Sequence, residues 1–245
     1  RRSSDLEGPV LKGARYLDAA ALPEELARMA GDTMTRYAAA AIPYYGALHR
    51  WLDLPRLGPA ETGAAALAAM EDQVPFPPGE ICLGWQRPGK EGRVQVAAAK
   101  RGPVEQVRAG LQASGLRPIR LDLRPLAAAT AFWHGFGSDP ANRTAVLVEL
   151  RADESSVVFM HAGEILYARV LPGLAGDSQT RLAELAGDLR STGALLRTWP
   201  DWEEPDCLWL AGTLASRAEI RCTLAELLGD RKSVVVGKEC RSRWS

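Results

Sequence analysis

The sequence predicts an α/β protein built from two lobes. Three observations predict this fold class: a run of three short apolar strands with tight turns, the helix–strand–helix run that follows it, and a turn-rich segment at 135–142 that precedes both. The chain has 245 residues, of which 47% are hydrophobic and 24% charged. This is ordinary globular usage at a length that exceeds one typical domain. Collagen-like, coiled-coil and disordered classes are therefore excluded.

Strands and helices alternate through the first half of the chain. Pro23 suits the first turn of a helix, the prolines at 75–78 end another, and Gly115 ends a third. The turn residues at 87–92 join two strands into a hairpin. We predict strands at 10–17, 36–42, 46–52, 80–86, 93–99 and 118–123, and helices from Pro23 to Gly31 and at 61–73, 103–114 and 124–133.

The second half has a simpler order. We predict strands at 144–150, 155–161 and 164–171, a helix at 179–197, a strand at 207–211 and a helix that ends at Leu228. Ala162 and Gly163 form the second tight turn. A three-stranded meander followed by α–β–α is the order of the ribonuclease-H-like half that occurs twice in actin-like folds. By this analogy we expect an actin-like, two-lobed α/β fold.

The formal charge of zero hides a basic C-terminal segment. Of the 30 basic and 30 acidic residues, residues 231–245 hold five and one, so the rest of the chain has a net charge of −4. This segment has no helical or strand period and resembles a translated sequencing-adapter read-through, so we predict a non-native tail outside the fold. The weakly acidic remainder argues against nucleic-acid binding. Because the chain begins with Arg1 rather than Met, we expect segments of the natural protein to be missing at both ends.

Metal, disulfide and membrane classes receive no support from the sequence. Outside the tail only Cys82, Cys207 and Cys222 remain, without a Cys-x-x-Cys pair, which fits a reducing cytosol. The three histidines are far apart, and we predict them to be surface or strand-end residues rather than ligands. No apolar run reaches the ~18–20 residues that span a bilayer. We predict no catalytic residue and no metal site.

Several phrases, in the right order, resemble the PilM family of type IV pilus assembly proteins and its relatives GspL of type II secretion and MshI of the MSHA pilus. They are AIP (41–43), RWLDLP (50–55), EDQVPFP (71–77), VAAAK (96–100), ASGLRP (113–118), LDL (121–123) and GEILYAR (163–169). The resemblance implies an N-terminally truncated actin-like fold. Its first lobe spans 1–135 with an inserted α+β subdomain at about 58–116, and a ribonuclease-H-like second lobe spans 142–230.

The resemblance also implies a role as a cytoplasmic platform at the inner-membrane face. Such a platform binds the cytoplasmic N-terminal tail of a PilN-like membrane protein and joins other pilus assembly platform proteins. We expect an extended peptide to dock on the inserted subdomain, by strand addition or in an apolar groove. The residues that we expect to line this groove are Val74, Phe76, Ile81, Leu83 and Trp85. The alternative is that these five side chains form only the local core.

Nucleotide binding is a second expectation of the resemblance, and here the sequence departs from the pattern. The second phosphate hairpin falls at 148–151, where Glu149 replaces the usual Asp and Arg151 the usual Gly; only Gly212 remains of the adenosine-side glycine pair. Ser155 and Ser156 stand where the family has hydroxyl residues. We expect a degenerate site. Solvated strand ends and a strand-to-helix turn are the alternative interpretation of these residues.

Three further readings remain open. An ATP-binding member of the fold with Mg²⁺ and weak ATPase activity is one, and a GspL- or MshI-like component is another. A sugar or acetate kinase relative needs a catalytic Asp, for which Asp122 is the candidate, although Asp122 also suits the end of a strand.

The phrase GWQRPGK at 84–90 has the spacing of a phosphate loop, but Glu91 follows where Ser or Thr is required. We therefore interpret it as part of the hairpin.

Overall fold

A computed structural model describes residues 36–42, 44, 47–87, 92–136, 143–175, 178–198, 203–205, 207–228 and 233–236, and the helical residues 24, 27, 28 and 31. The predicted strand at 10–17, the start of a helix at Pro23 and the turn residues 88–91 lie outside these ranges. The chain divides into two compact units, Arg1–Ala127 and Ala128–Ser245.

Among its described residues, the first unit contains two sheets. In chain order its elements are β1 (Tyr37–Ile42), β2 (Leu48–Asp53), α1 (Pro59–Glu71), β3 (Ile81–Gln86), β4 (Arg93–Lys100), α2 (Arg101–Ala113), β5 (Arg117–Leu123) and the beginning of α3 (Arg124–Phe136). Strands β1 and β5 form a parallel pair, while β2, β4 and β3 form an antiparallel sheet in that order. All of these strands and helices lie within a few residues of the predicted positions.

Local sequence explains the ends of the helices. Pro59 occupies the first turn of α1, and the carboxylate of Glu61 accepts the Gly58 N–H at 3.0 Å. At the end of α2, Gly115 takes a φ of +76°, and the Leu116 N–H donates to the Leu111 carbonyl at 3.0 Å. This is the glycine-terminated helix end that the sequence predicts.

The antiparallel sheet and α1 enclose a small apolar core. Seven buried side chains from both elements and the connection between them form it: Ala66, Met70, Val74, Ile81, Val94, Val96 and Ala98. The side chains of β3 alternate between this core and the opposite face, as the period of two requires. Region 58–116, the predicted insertion, therefore contributes α1, β3 and β4, and β2 from outside this region completes the sheet on which α1 packs.

The described residues of the second unit form a five-stranded sheet with flanking helices. After the end of α3 this unit contains β6 (Thr144–Glu149), β7 (Glu154–His161), β8 (Glu164–Pro172), α4 (Ser178–Leu196), β9 (Cys207–Ala211), α5 (Ala218–Leu228) and β10 (Ser233–Val236). The strand order is β10-β9-β6-β7-β8, with an antiparallel meander and parallel strands beyond it. At the β7–β8 turn, Ala162 and Gly163 have φ values of +47° and +84°. The predicted meander followed by α–β–α is confirmed.

Helices cover both faces of this sheet. Leucines of α4, among them Leu182, Leu185 and Leu189, share one core with Val146, Val148, Val157 and Phe159 of the sheet and with Ile220 and Leu224 of α5. On the opposite face, the rings of Phe132 and Phe136 in α3 each lie 5.0 Å from the ring of Trp209. The sheet is therefore buried on both sides.

The prediction that residues 231–245 contain no regular element is wrong for Ser233–Val236. These four residues form β10, which pairs in parallel with β9 and places Val235 opposite Trp209. Three consecutive valines have a high strand preference, and the open edge of β9 supplies the partner that a four-residue strand needs. The remaining residues of the predicted tail lie outside the described ranges.

Candidate functional site

The predicted nucleotide residues lie around the turn between β6 and β7. Glu149 is the last residue of β6 and pairs with Ser156 of β7, whose Oγ lies 3.5 Å from Oε2 of Glu149. Glu149 also pairs with Ala211 of β9, which places Gly212 just beyond the same end of the sheet. The fold therefore brings Glu149, Ser156 and Gly212 to one sheet end, although they are up to 63 residues apart in the sequence.

Arg151 holds its own turn together. Its guanidinium donates to both carboxylate oxygens of Asp153, at 3.0 and 3.2 Å. This hydrogen bonding lowers the pKa of Asp153 below its usual value. The carbonyl oxygens of Arg151, Ala152 and Asp153 accept hydrogen bonds from the backbone N–H groups of residues 173–175. The turn is thus held by the segment that follows β8, and its one cationic group already has an anionic partner.

Gly212 fills a position that no other residue could occupy without strain. Its φ is +90°, and a Cβ there would lie 2.4 Å from the Leu150 carbonyl oxygen. The same carbonyl accepts the Leu214 N–H at 3.2 Å, and the Leu150 N–H donates to the Ala211 carbonyl at 2.8 Å. The alternative interpretation of Gly212, a turn from strand to helix, therefore describes its conformation.

Ser155 differs from the other members of the predicted nucleotide set. Neighbouring side chains of a strand point to opposite faces, so Ser155 and Ser156 are on different sides of the sheet. Ser155 shares the face of Val157 and Phe159, which α4 covers. It is 1% exposed, and its hydroxyl has no hydrogen-bond partner among the described residues.

The five predicted partner-binding residues cluster in the inserted sheet. Val74 and Ile81 are buried in its core, and the half-buried Phe76, Leu83 and Trp85 pack against that core. Gly63 of α1 lets the helix approach closely, because a Cβ there would lie 3.3 Å from Nε1 of Trp85. Among the described residues β3 pairs only with β4, so it is an edge strand of this sheet. A polypeptide could therefore pair with its outer side.

His49 contradicts the prediction that the histidines lie at surfaces or strand ends. It is the second residue of β2, only 3% of it is exposed, and its Nε2 has no partner among the described residues. Burial, and to a smaller extent the charge of Arg50, lower its pKa from 6.5 to about 4. His49 is therefore neutral at physiological pH.

Asp122 has a structural role at the junction of β5 and α3. Its carboxylate accepts hydrogen bonds from the Arg120 guanidinium at 2.6 and 3.0 Å and from the Leu123 N–H at 3.0 Å. These hydrogen bonds engage both carboxylate oxygens of Asp122, which would have to accept a proton if Asp122 were the general base of a kinase. The predicted alternative, an Asp that ends a strand before a helix, fits these contacts.

The part of the chain that the structure describes contains neither a metal-binding cluster nor a helix that could cross a membrane. No group of three or more His, Cys, Asp or Glu side chains there is arranged to hold a metal ion. No helix in those residues combines the length and the apolar character required to cross a bilayer.

Known structures identify the fold. No protein-family model matches the sequence, and no curated protein is significantly similar to it. The solved "PilM-PilN type IV pilus biogenesis complex" matches 96% of this chain and 83% of its own, with 22% identity and a TM-score of 0.69. A Bacteroides thetaiotaomicron protein described as having an actin-like ATPase fold matches 91% of this chain and 79% of its own, with 12% identity and a TM-score of 0.52.

This chain has the actin-like ATPase fold. The cytoplasmic domain of EpsL, an inner-membrane component of the type II secretion system of Vibrio cholerae, also matches, at 12% identity and a TM-score of 0.50 over 89% of this chain and 71% of its own. The predicted actin-like fold class and the resemblance to PilM and to the secretion relative are thus confirmed in three dimensions.

Proposed function

We propose that this chain is a PilM-like platform protein of type IV pilus assembly, which binds the cytoplasmic N-terminal tail of a PilN-like membrane protein. The observation that carries the proposal is the match to the PilM-PilN complex structure over 96% of the chain. The ordered phrases of the sequence support it independently. Through this partner and other platform proteins the chain would be held at the cytoplasmic face of the inner membrane. The EpsL match supports a secretion role as the second candidate, with the lower TM-score.

The inserted sheet is the docking surface in this proposal. An extended tail pairs with the outer side of β3 through main-chain hydrogen bonds, which give affinity without demanding a particular sequence. Phe76, Leu83 and Trp85 are half-buried and offer apolar surface beside that edge. Val74 and Ile81 are buried in the core against which these three side chains pack. The tail therefore gains both a ladder of hydrogen bonds and contacts for alternate side chains.

Fluorescence anisotropy with a labelled synthetic peptide of a PilN-like N-terminal tail tests this function. We expect Phe76→Ala to weaken binding by roughly tenfold or more, since truncation of an aromatic anchor typically has that effect. The matched control is Ile119→Ala, which removes a 66% exposed apolar side chain from β5 and should leave affinity unchanged. Failure of the native chain to bind the peptide, or unchanged binding by a folded Phe76→Ala variant, would refute the proposal.

We further propose that the nucleotide groove of the fold is degenerate here. Arg151 adds a Cβ where phosphate hairpins need a bare backbone, and its guanidinium is paired with Asp153. Glu149, Ser156 and Gly212 keep the positions of a former site, and Ser155 faces the other side of the sheet. Tight binding of Mg²⁺–ATP is therefore not expected, and neither is hydrolysis.

Thermal-shift titration distinguishes this proposal from an ATP-binding function. A ligand that binds only the folded state raises the melting temperature by mass action. We expect no rise at millimolar Mg²⁺–ATP for the native chain or for Arg151→Gly. A rise for Arg151→Gly alone would show that the arginine closes an otherwise competent site, and a rise for the native chain would overturn the proposal.

A further inference from the structure

We propose that a pocket between β8 and α4 in the second unit binds a small aliphatic carboxylate. The pocket has a volume of about 410 Å³, which lies within the range of small-molecule sites. Besides apolar side chains, its lining holds one buried hydroxyl (Ser155), two arginines (Arg169 and Arg181) and two carboxylates (Glu184 and Asp188). This combination matches an occupant with an apolar body and an anionic head.

The buried hydroxyl is the observation that points to an occupant. Ser155 lines the pocket, is 1% exposed and has an Oγ without a hydrogen-bond partner among the described residues. Buried hydroxyl groups in folded proteins almost always have a partner, because an unsatisfied one is unfavourable. A carboxylate oxygen in the pocket would accept its O–H. Replacing the hydroxyl by a hydrogen should then weaken the ligand and leave the fold intact.

The two arginines and two carboxylates of the lining balance in charge, and an anion is favoured through the N–H donors that the arginines retain. Arg169 donates to Asp188 at 3.0 Å and Arg181 donates to Glu184 at 2.8 Å. Each guanidinium has five N–H donors, and only one of each is bound in these pairs. Both pairs are partly exposed, and such pairs contribute little stability, so they can rearrange around a carboxylate. Arg181 also lies near the N-terminus of α4, where the helix dipole favours negative charge.

Apolar side chains account for the aliphatic part of the ligand. Leu171 lies near the end of β8, Leu174 lies two residues beyond it, and Leu185 of α4 lines the same pocket. Gly187 also lines the pocket, and a Cβ there would meet no atom within 4 Å. The absence of a side chain at this position therefore keeps the pocket open.

This pocket is separate from the surfaces of the proposed functions. It lies on the face of the sheet that carries Ser155, whereas Glu149 and Ser156 share the other face. The β3 edge belongs to the other unit. Loss of peptide or nucleotide binding would therefore leave this inference untouched.

Hexanoate is the probe, and its binding is measured by chemical-shift titration of the ¹⁵N-labelled full chain. We expect millimolar binding with shifts in β8 and the first half of α4, and at least about tenfold weaker binding of hexanol and hexylammonium. Ser155→Ala should weaken hexanoate about fivefold. Gly187→Leu should abolish binding by filling the pocket, and Gly193→Leu, on the same helix outside the pocket, should not.

Each result of the hexanoate titration either supports the inference or overturns it. Absence of hexanoate binding at about 50 mM would overturn the inference, and so would equal binding of hexanol or preferential binding of hexylammonium. Hexanoate binding that Gly187→Leu leaves unchanged, in a variant with native circular dichroism, would place the ligand elsewhere and also refute it. Loss in Gly187→Leu together with weakening in Ser155→Ala supports the assignment.

Discussion

Single residues explain why the predicted nucleotide site differs from what the sequence first suggests. Arg151 looks like a phosphate-attracting group, yet its two hydrogen bonds to Asp153 use that charge to hold the turn. Gly212 looks like a remnant of a glycine pair, and its φ of +90° against the Leu150 carbonyl gives it a structural reason to be glycine. The close approach of Gly212 to Leu150 could not be read from the sequence, because it depends on the path of a neighbouring strand.

His49 gives the chain a predictable response to acid. Its pKa is about 4 in the folded state against 6.5 in the unfolded chain, so between these values the unfolded state binds a proton that the folded state does not. Stability is therefore unaffected by this group above pH 6.5 and falls as the pH drops towards 4. We expect a loss of about 2 kcal/mol in the free energy of unfolding between pH 7.5 and 5. Urea titration at the two pH values measures it.

The control for this prediction is His49→Leu, which keeps a buried side chain without a titrating group. Its stability should change much less between pH 7.5 and 5. Asp153 does not interfere, because its folded pKa is lowered, and its contribution is lost only as the pH falls below the usual value of 3.8. A native chain that is equally stable at both pH values would contradict the burial of His49.

At the scale of elements, the sequence predicted nearly every described strand and helix because local signals and tertiary packing agree. The predicted bounds of β9 are those of the structure, and Ala162–Gly163 forms the expected turn with two positive φ values. The exception is β10, a four-residue strand within a charged segment. It is supported by the open edge of β9 and by contact with α5, and a pairing partner distant in sequence leaves no periodic signal.

The close approach between Gly212, which follows β9, and the backbone of Leu150, which follows β6, gives a second prediction at the scale of elements. Gly212→Ala would place a Cβ against the Leu150 backbone at a positive φ, so we expect a loss of roughly 2 kcal/mol or more. Gly193→Ala in α4 meets no neighbour within 4 Å and should raise stability by up to about 1 kcal/mol through helix propensity. Urea unfolding followed by circular dichroism compares them. Equal stabilities of the two variants would rule out the close approach at Gly212.

At the scale of the whole molecule, fold and function were predictable to different depths. The order of elements and the ordered phrases predicted the actin-like fold, and the match to the PilM-PilN structure confirms it. The candidate sites were harder to predict, because residues far apart in the sequence come together only through the order of the strands in the sheet. Glu149 and Gly212 reach the same sheet end because β6 pairs with β9. The pocket lined by Arg169, Arg181 and Ser155 gave no sequence signal, since its residues belong to three elements with ordinary patterns.

Hydrogen–deuterium exchange of the full chain, with and without an excess of a PilN-like tail peptide, tests the central claim most directly. If the tail adds a strand to the inserted sheet, amides of β3 (Ile81–Gln86) should exchange more slowly in the complex. The amides of β8 in the second unit should be unchanged. Unaltered exchange throughout 58–116 at saturating peptide, or slowing confined to the second unit, would contradict the account.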